Sequence, residues 1–343
     1  MKKQFIANKR AEVEFRTRLQ EGAYVSREPS GNELLSELTK RVEKARIIFR
    51  AHEQETSFSP FLEIGAERGQ RSMLLASEFR AQGFMLDLSL DSLREAEALR
   101  RPLKLNKIPQ SVVADAYNLP FPNNSFAFII AFQTIHHFPD PEPILREVNR
   151  VLAPGGVFIL DEEPIRQSFN VRLWRRPTIL RWWEKILKAT ILLHFLSEIG
   201  KSETDAGIIE TSFSLPTWEK ALNVFETAKA ALTVFPFGPT ETISKTGQEK
   251  WLNPSLPTRI LLKLLGGNIQ AICTKSPNKR RSYKLQAKHL LPPFVCPSCP
   301  PHPLLEQRLG SWYCLTCKNT YPVKDGIPIL IERTLRQTLY PNA

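Results

Sequence analysis

Phe61-Leu62-Glu63-Ile64-Gly65-Ala66-Glu67-Arg68-Gly69-Gln70-Arg71-Ser72 is the stretch that decides how the chain folds. An apolar run ends in a glycine-bearing turn, and a helix start follows, the pattern of a buried strand that delivers the chain to a helix N-terminus. Glycine lets backbone approach a ligand closely, and the helix N-terminus behind it favours negative charge. Such turns are common, so the neighbours must give this one its meaning. Met85-Leu86-Asp87-Leu88-Ser89 ends the next apolar run in an acid, 18 residues past Gly69. A nucleotide-binding sheet places there the carboxylate that takes two ribose hydroxyls.

Working outward, short apolar runs at 61–64, 84–88, 111–114, 127–132 and 157–160 alternate with amphipathic stretches. That alternation predicts an α/β fold, a Rossmann-like doubly wound and mostly parallel sheet covered on both faces. Upstream, Leu34, Leu35, Leu38, Val42, Ala45, Ile48 and Phe49 have helical spacing within residues 33–54. After Leu160 the alternation stops. Residues 165–230 read as a helical lid insertion, and a strand pair at 231–237 and 268–274 completes the sheet. The expected organisation is an N-terminal helical extension over 1–59, a main domain over 60–275, a basic linker over 276–293 and a small module over 294–335.

Cys296-Pro297-Ser298-Cys299 and Cys314-Leu315-Thr316-Cys317 are separated by 14 residues. Four thiolates so spaced can meet one tetrahedral zinc with no open position, a structural zinc ribbon. With four of the five cysteines so paired, metal ligation in a reducing compartment is expected rather than disulfides. No apolar stretch follows the charged residues 1–10, and no run reaches the roughly 18 apolar residues of a membrane span. The expected location is the cytoplasm, with contact at the inner face of the membrane left open.

The net charge of +12 is unevenly placed: +3 over residues 1–59, +1 over 60–273 and +8 over 274–343. A nearly neutral core with a basic tail suits nucleic acid, anionic lipid or an acidic protein, or only solubility. Residues 171–196 mix basic residues with Trp174, Trp182 and Trp183. Two readings fit them, an interfacial helix dipping into a bilayer surface and a lid helix packing its tryptophans on the core.

Further along come Val112-Val113-Ala114-Asp115-Ala116, the run at 127–132, Thr134-Ile135-His136-His137-Phe138, and Arg150-Val151-Leu152-Ala153-Pro154-Gly155-Gly156. In this order the elements resemble the class I S-adenosylmethionine (SAM)-dependent methyltransferases, specifically the type 11 group, densely over residues 60–162. The resemblance implies SAM as cofactor. It places Glu63 behind the turn towards the methionine amino group, Gly65 and Gly69 along the methionyl part, Asp87 on the ribose, and Asp115 with Ala116 at the adenine. Phe132, Gln133, His136 and His137, after the fourth strand, face the same site. Either histidine is a candidate base, or packs beneath the sheet. Asp161, Glu162 and Glu163 at the fifth strand's end are candidates for acceptor hydroxyls. The group's usual third glycine is Glu67 here, and a Glu would repel the cofactor's carboxylate at close range, so it is expected to point away.

Cys296 to Leu330, ending in Tyr321-Pro322-Val323-Lys324-Asp325-Gly326-Ile327-Pro328-Ile329-Leu330, resembles the small zinc-ribbon proteins that activate methyltransferases by docking on them. The likeness implies docking in cis, through the apolar run 327–331, on a sheet edge or lid. Ala131-Phe132-Gln133-Thr134 lacks the acid or amide, prolines and aromatic of enzymes that methylate base amino groups. Cys273, on the last predicted strand, reads as a core residue rather than the nucleophile that C5 methylation of cytosine needs. The leading expectation is methyl transfer to oxygen or carbon of a small, glycan or lipid-linked acceptor. RNA methylation and a non-catalytic SAM-binding scaffold are the alternatives.

Overall fold

The computed structural model describes residues 2–20, 31–176, 180–190, 192–198, 201–245, 247, 250–276 and 291–341. Lys279, Arg280 and Arg281 of the expected basic linker lie outside them.

Two helices, α1 (Lys2–Gln20) and α2 (Gly31–His52), precede the first strand, β1 (Phe61–Ile64). Then come α3 (Gln70–Ser77), β2 (Gly83–Asp87), α4 (Leu90–Arg94), α5 (Ala96–Arg100), β3 (Gln110–Ala114), β4 (Phe126–Phe132), α6 (Pro141–Val151) and β5 (Leu152–Ile165). Their parallel pairing gives the order β3-β2-β1-β4-β5, so the strand order reverses beside β1. Every residue of β1 and β4 is buried, as continuous apolar runs require when helices cover both faces. Leu38, Val42, Ala45 and Phe49 of α2 are buried on one face with Met73 to Leu75 of α3. Ile144, Leu145, Val148 and Val151 of α6 cover the other. Asp140 caps α6 by accepting from the amide of Glu142, and Pro141 occupies its first turn.

The insertion holds β6 (Trp174–Arg175), α7 (Trp182–Ala189), α8 (Leu192–Leu196), β7 (Ser197–Glu198), α9 (Lys201–Asp205) and α10 (Leu215–Leu222). It is helical as expected except for the short parallel ribbon of β6 and β7. The sheet continues with β8 (Thr227–Val234), β9 (Gly238–Ser244), α11 (Leu256–Leu265) and β10 (Gly267–Thr274), with β10 antiparallel between β5 and β8. β9 has no counterpart in the sequence reading. It is an edge strand whose side chains are largely outside the core, so it carries no apolar signal. Cys273 is wholly buried on β10, and burial pushes its thiol well up.

The C-terminal module is a meander of β11 (Leu305–Arg308), β12 (Ser311–Cys314), β13 (Thr320–Lys324) and β14 (Ile327–Leu330), followed by α12 (Arg333–Leu339). β14 pairs antiparallel with β13 and, on its other side, parallel with β3, setting Ile329 opposite Val113 and Leu330 opposite Ala114. The module thereby extends the main sheet to 12 strands among the described residues. Phe294 seals the junction, its ring 5.5 Å from that of Phe84 and 5.7 Å from that of Phe121.

Candidate functional site

A cavity of about 490 Å³ opens at the carboxyl ends of the parallel strands, where doubly wound sheets bind ligands. Gly65 and Glu67 enter from the turn after β1, Asp87 from the end of β2, Asp115 and Ala116 from beyond β3, and Phe132, His136 and His137 from the end of β4. Glu63 and Gly69 stand behind this lining. Gly65 has φ 67°, and a Cβ there would lie 2.4 Å from the Thr134 side chain. Gly69 has φ 71° with Met85 Sδ at the same distance, so it packs strand against helix.

Glu63 is buried and accepts the Ser72 amide at 2.9 Å, while its Oε1 has no hydrogen-bond partner. Burial pushes its carboxyl up to about 7. Asp87 accepts the amides of Glu67 and Ser89, each at 2.8 Å. Burial, with the charge of Glu12, raises it to about 6.

Glu67 takes the left-handed conformation, φ 51°, that a glycine adopts freely. It does not turn away as expected: it lines the cavity, with its carboxylate 3.1 Å from Arg16 Nη1 and 3.5 Å from Arg41 Nη1. Burial opposes its charge, yet Arg16, Arg68 and Arg41 together hold the carboxyl down to about 2.

Helix α1, not foreseen as a wall of the site, lines the cavity through Asn8, Lys9, Glu12 and Arg16. Its Lys9 ammonium forms an ion pair with the Asp115 carboxylate, 4.9 Å from the ring centroid of Tyr117. Burial lowers the pKa of this lysine despite the pairing. Lys9, Glu12 and Arg16 share one helix face at spacings of three and four. That charged stripe was the sequence signal for the contact.

After β4 the chain enters a turn of 3₁₀ helix, Ile135–His137, organised by one carboxylate. Glu163, wholly buried, accepts the amides of Thr134, Ile135 and His136 at 2.7, 2.9 and 3.0 Å, and lies 3.0 Å from His136 Nδ1. A charged carboxylate makes that Nδ1 the protonated nitrogen. The other nitrogen, Nε2, lies 3.6 Å from Glu210. Burial opposes protonation of His136, but Glu163, Glu210 and Glu12 outweigh it and raise its pKa. His137 is held down to about 4 by burial and by His136, and its Nδ1 donates to the carbonyl of Ile209 at 3.0 Å. Donor atoms of His136, His137 and Glu210 lie within 4.8 Å of one another, so this trio has the makings of a cation site.

The acids ending β5 divide. Asp161 and Glu162 share Lys44 at 2.8 and 2.9 Å, and Glu163 serves His136, so only Glu162 of the three lines the cavity.

In the C-terminal module the sulfurs of Cys296 and Cys317 are 3.6 Å apart and those of Cys299 and Cys314 3.5 Å, all four within 4.8 Å. A zinc–sulfur bond of about 2.3 Å implies a tetrahedral edge of about 3.8 Å, so the donor set fits one ion. The Tyr321 hydroxyl lies 3.1 Å from Cys296 Sγ.

Residues 62–160 match the family described as "Methyltransferase domain". A fatty-acid O-methyltransferase of Mycolicibacterium smegmatis is 31% identical over 116 residues, 34% of this chain and 40% of that protein. A mitochondrial protein of Danio rerio named as an arginine-hydroxylase, NDUFAF5, is 32% identical over 116 residues, 34% of each chain. The chain thus spans less than half the length of these curated relatives. The solved complex of the Haloferax volcanii Trm112 methyltransferase activator with a putative methyltransferase superimposes with a TM-score of 0.41 at 14% identity, over 71% of this chain and 95% of that one. Over residues 62–160, then, the chain is similar to the type 11 group of SAM-dependent methyltransferase domains.

Proposed function

We propose that the chain transfers a methyl group from SAM to an oxygen or carbon atom of a small, glycan or lipid-linked acceptor. The observation that carries this reading is the His136–Glu163 pair. Glu163 fixes the imidazole by its Nδ1, leaving Nε2 at the cavity, where an acceptor's O–H or acidic C–H would be presented.

SAM brings a methyl group on a sulfonium, an electrophile that needs an aligned nucleophile rather than further activation. The chain's own residues then have two tasks, to hold the cofactor and to take a proton. Asp87 would receive the ribose hydroxyls, and Asp115 with Ala116 the adenine edge. Gly65 would leave room beside the methionyl chain, Phe132 would pack on the cofactor, and Glu63 Oε1, which accepts no hydrogen bond and lies 3.9 Å from Arg71 Nη1, is suited to a bound ammonium, through the turn. A neutral His136 takes the acceptor proton and passes the charge into the field of Glu163 and Glu210. The four cysteines would hold a structural zinc that shapes the C-terminal module.

The test is to supply SAM labelled in its methyl group to the purified chain with a cell extract separated into aqueous, organic-soluble and RNA fractions. Label in the organic or small-molecule fraction supports the reading. Label in RNA would transfer the function to nucleic acid, and SAM binding with no labelled product would leave a scaffold.

A further inference from the structure

Phe169, Val171, Leu173, Trp182, Ile186 and Leu192 are all exposed, Trp182 by 75%, and all lie on the insertion between β5 and β8. The fold gathers them. The amides of Val171 and Leu173 donate to the carbonyls of Phe195 and Leu196, each at 2.8 Å, so the two ends of the segment lie side by side. On α7 the inner face is fixed by the buried Glu184, which accepts the Trp174 indole N–H at 3.1 Å and the Arg181 amide at 2.7 Å. Trp182 and Ile186, four residues apart, therefore share an outer face, with the exposed Lys185 and Lys188 beside them.

The charge on this segment has one sign. Residues 166–192 contain seven Lys or Arg and a single acid, the buried Glu184. Glu198 on β7 is engaged by Arg172 at 2.8 Å and Arg175 at 3.2 Å. A surface combining large apolar side chains with cations, and no exposed acid within residues 166–192, is complementary to an interface that is apolar inside and anionic at its rim. Among the described residues no helix is long and apolar enough to cross a membrane, so such a face would lie on a bilayer rather than span it.

We propose that this face docks on an anionic lipid bilayer, with Trp182 and Ile186 entering the headgroup region and the exposed Arg166, Lys185 and Lys188 meeting lipid phosphates. The segment begins immediately after Pro164 and Ile165, and Pro164 lines the cavity. Docking would therefore set the cavity close to the bilayer surface, within reach of a lipid-embedded acceptor. Only that last consequence rests on the proposed methyl transfer.

The experiment is co-sedimentation of the full chain with vesicles of phosphatidylcholine alone and of phosphatidylcholine mixed with phosphatidylglycerol. SAM affinity and the thermal midpoint are read on the same samples. The wild type should pellet with the mixed vesicles, less so as salt rises, with its tryptophan emission shifted to the blue. Trp182→Ser with Ile186→Ser, and separately Phe169→Ser with Leu173→Ser, should weaken vesicle binding at least about tenfold, with SAM affinity and midpoint unchanged. A wild type left in the supernatant overturns the proposal. So does equal binding by the variants, or a wild-type dimer that the variants merely convert to monomer. Vesicle binding without SAM binding would sustain the docking and sink the methyltransferase reading instead.

Discussion

The hydroxyl of Tyr340, beyond the last helix, donates to the carbonyl of Leu88 at 2.5 Å, one residue past the acid that ends β2. The same oxygen accepts the amide of Leu90 at 3.0 Å. The C-terminal segment thus fixes the loop that presents Asp87. Tyr340→Phe should cost roughly 0.5–1.5 kcal/mol of stability for each lost hydrogen bond, and weaken SAM binding modestly. Asp87→Ala should weaken it at least about tenfold, the scale of a charged hydrogen-bond partner. Calorimetric titration with SAM separates the two, and an unchanged affinity for the alanine variant removes Asp87 from the site.

Glu67 sets an acid limb on stability. Its carboxyl is held down to about 2 against an ordinary 4.5, so the fold prefers its charged form. That contribution is complete above the ordinary value and fades as pH falls towards 2. Wild type should melt higher than Glu67→Gln at neutral pH, and the two curves should converge through this acid range. Parallel curves would mean that the three arginines do not stabilise the carboxylate.

A raised His136 has the opposite sign. Its pKa lies above the ordinary 6.5, so its protonated form supports the fold below that value and loses the advantage as pH rises. Transfer needs the neutral form, and kcat/KM should therefore climb with pH and level off above 6.5. Glu163→Gln should move the midpoint down and lower the plateau. His136→Ala should lose about 10²–10⁴-fold with SAM affinity retained. A flat pH profile in the wild type would leave the imidazole without a proton to take.

Metal analysis should find about one zinc per chain, the content of one four-thiolate site. Cys314→Ser with Cys317→Ser should release it and expose the module to protease, because metal binding supplies much of a small ribbon's folding energy. Full zinc retention in that double variant would refute the ligand set.

The parallel strands were legible because their central residues are buried on both faces, so they read as short apolar runs. The acids at their ends were legible because they interrupt that pattern at a fixed place. What escaped the reading is held by polar contacts between distant segments. Lys9 finds Asp115 and Arg16 finds Glu67 across the fold, and the charged stripe on α1 does not by itself say which acids it will meet. Glu163 looked like one of three equivalent acids. Only the turn of backbone after β4, with three amides converging on it, separates it from Asp161 and Glu162.

The pairing of Ile329 with Val113 joins segments 216 residues apart in the sequence, and it bears on how the chain is made. During synthesis the β3 edge emerges early and must wait, unpaired, for a strand translated long afterwards. An open edge of that kind is a template for aggregation. Contacts so remote in sequence are also slow to close. Were the proposed zinc withheld, chains would then accumulate with the central sheet built but unsealed, and insolubility would appear before any loss of the cavity.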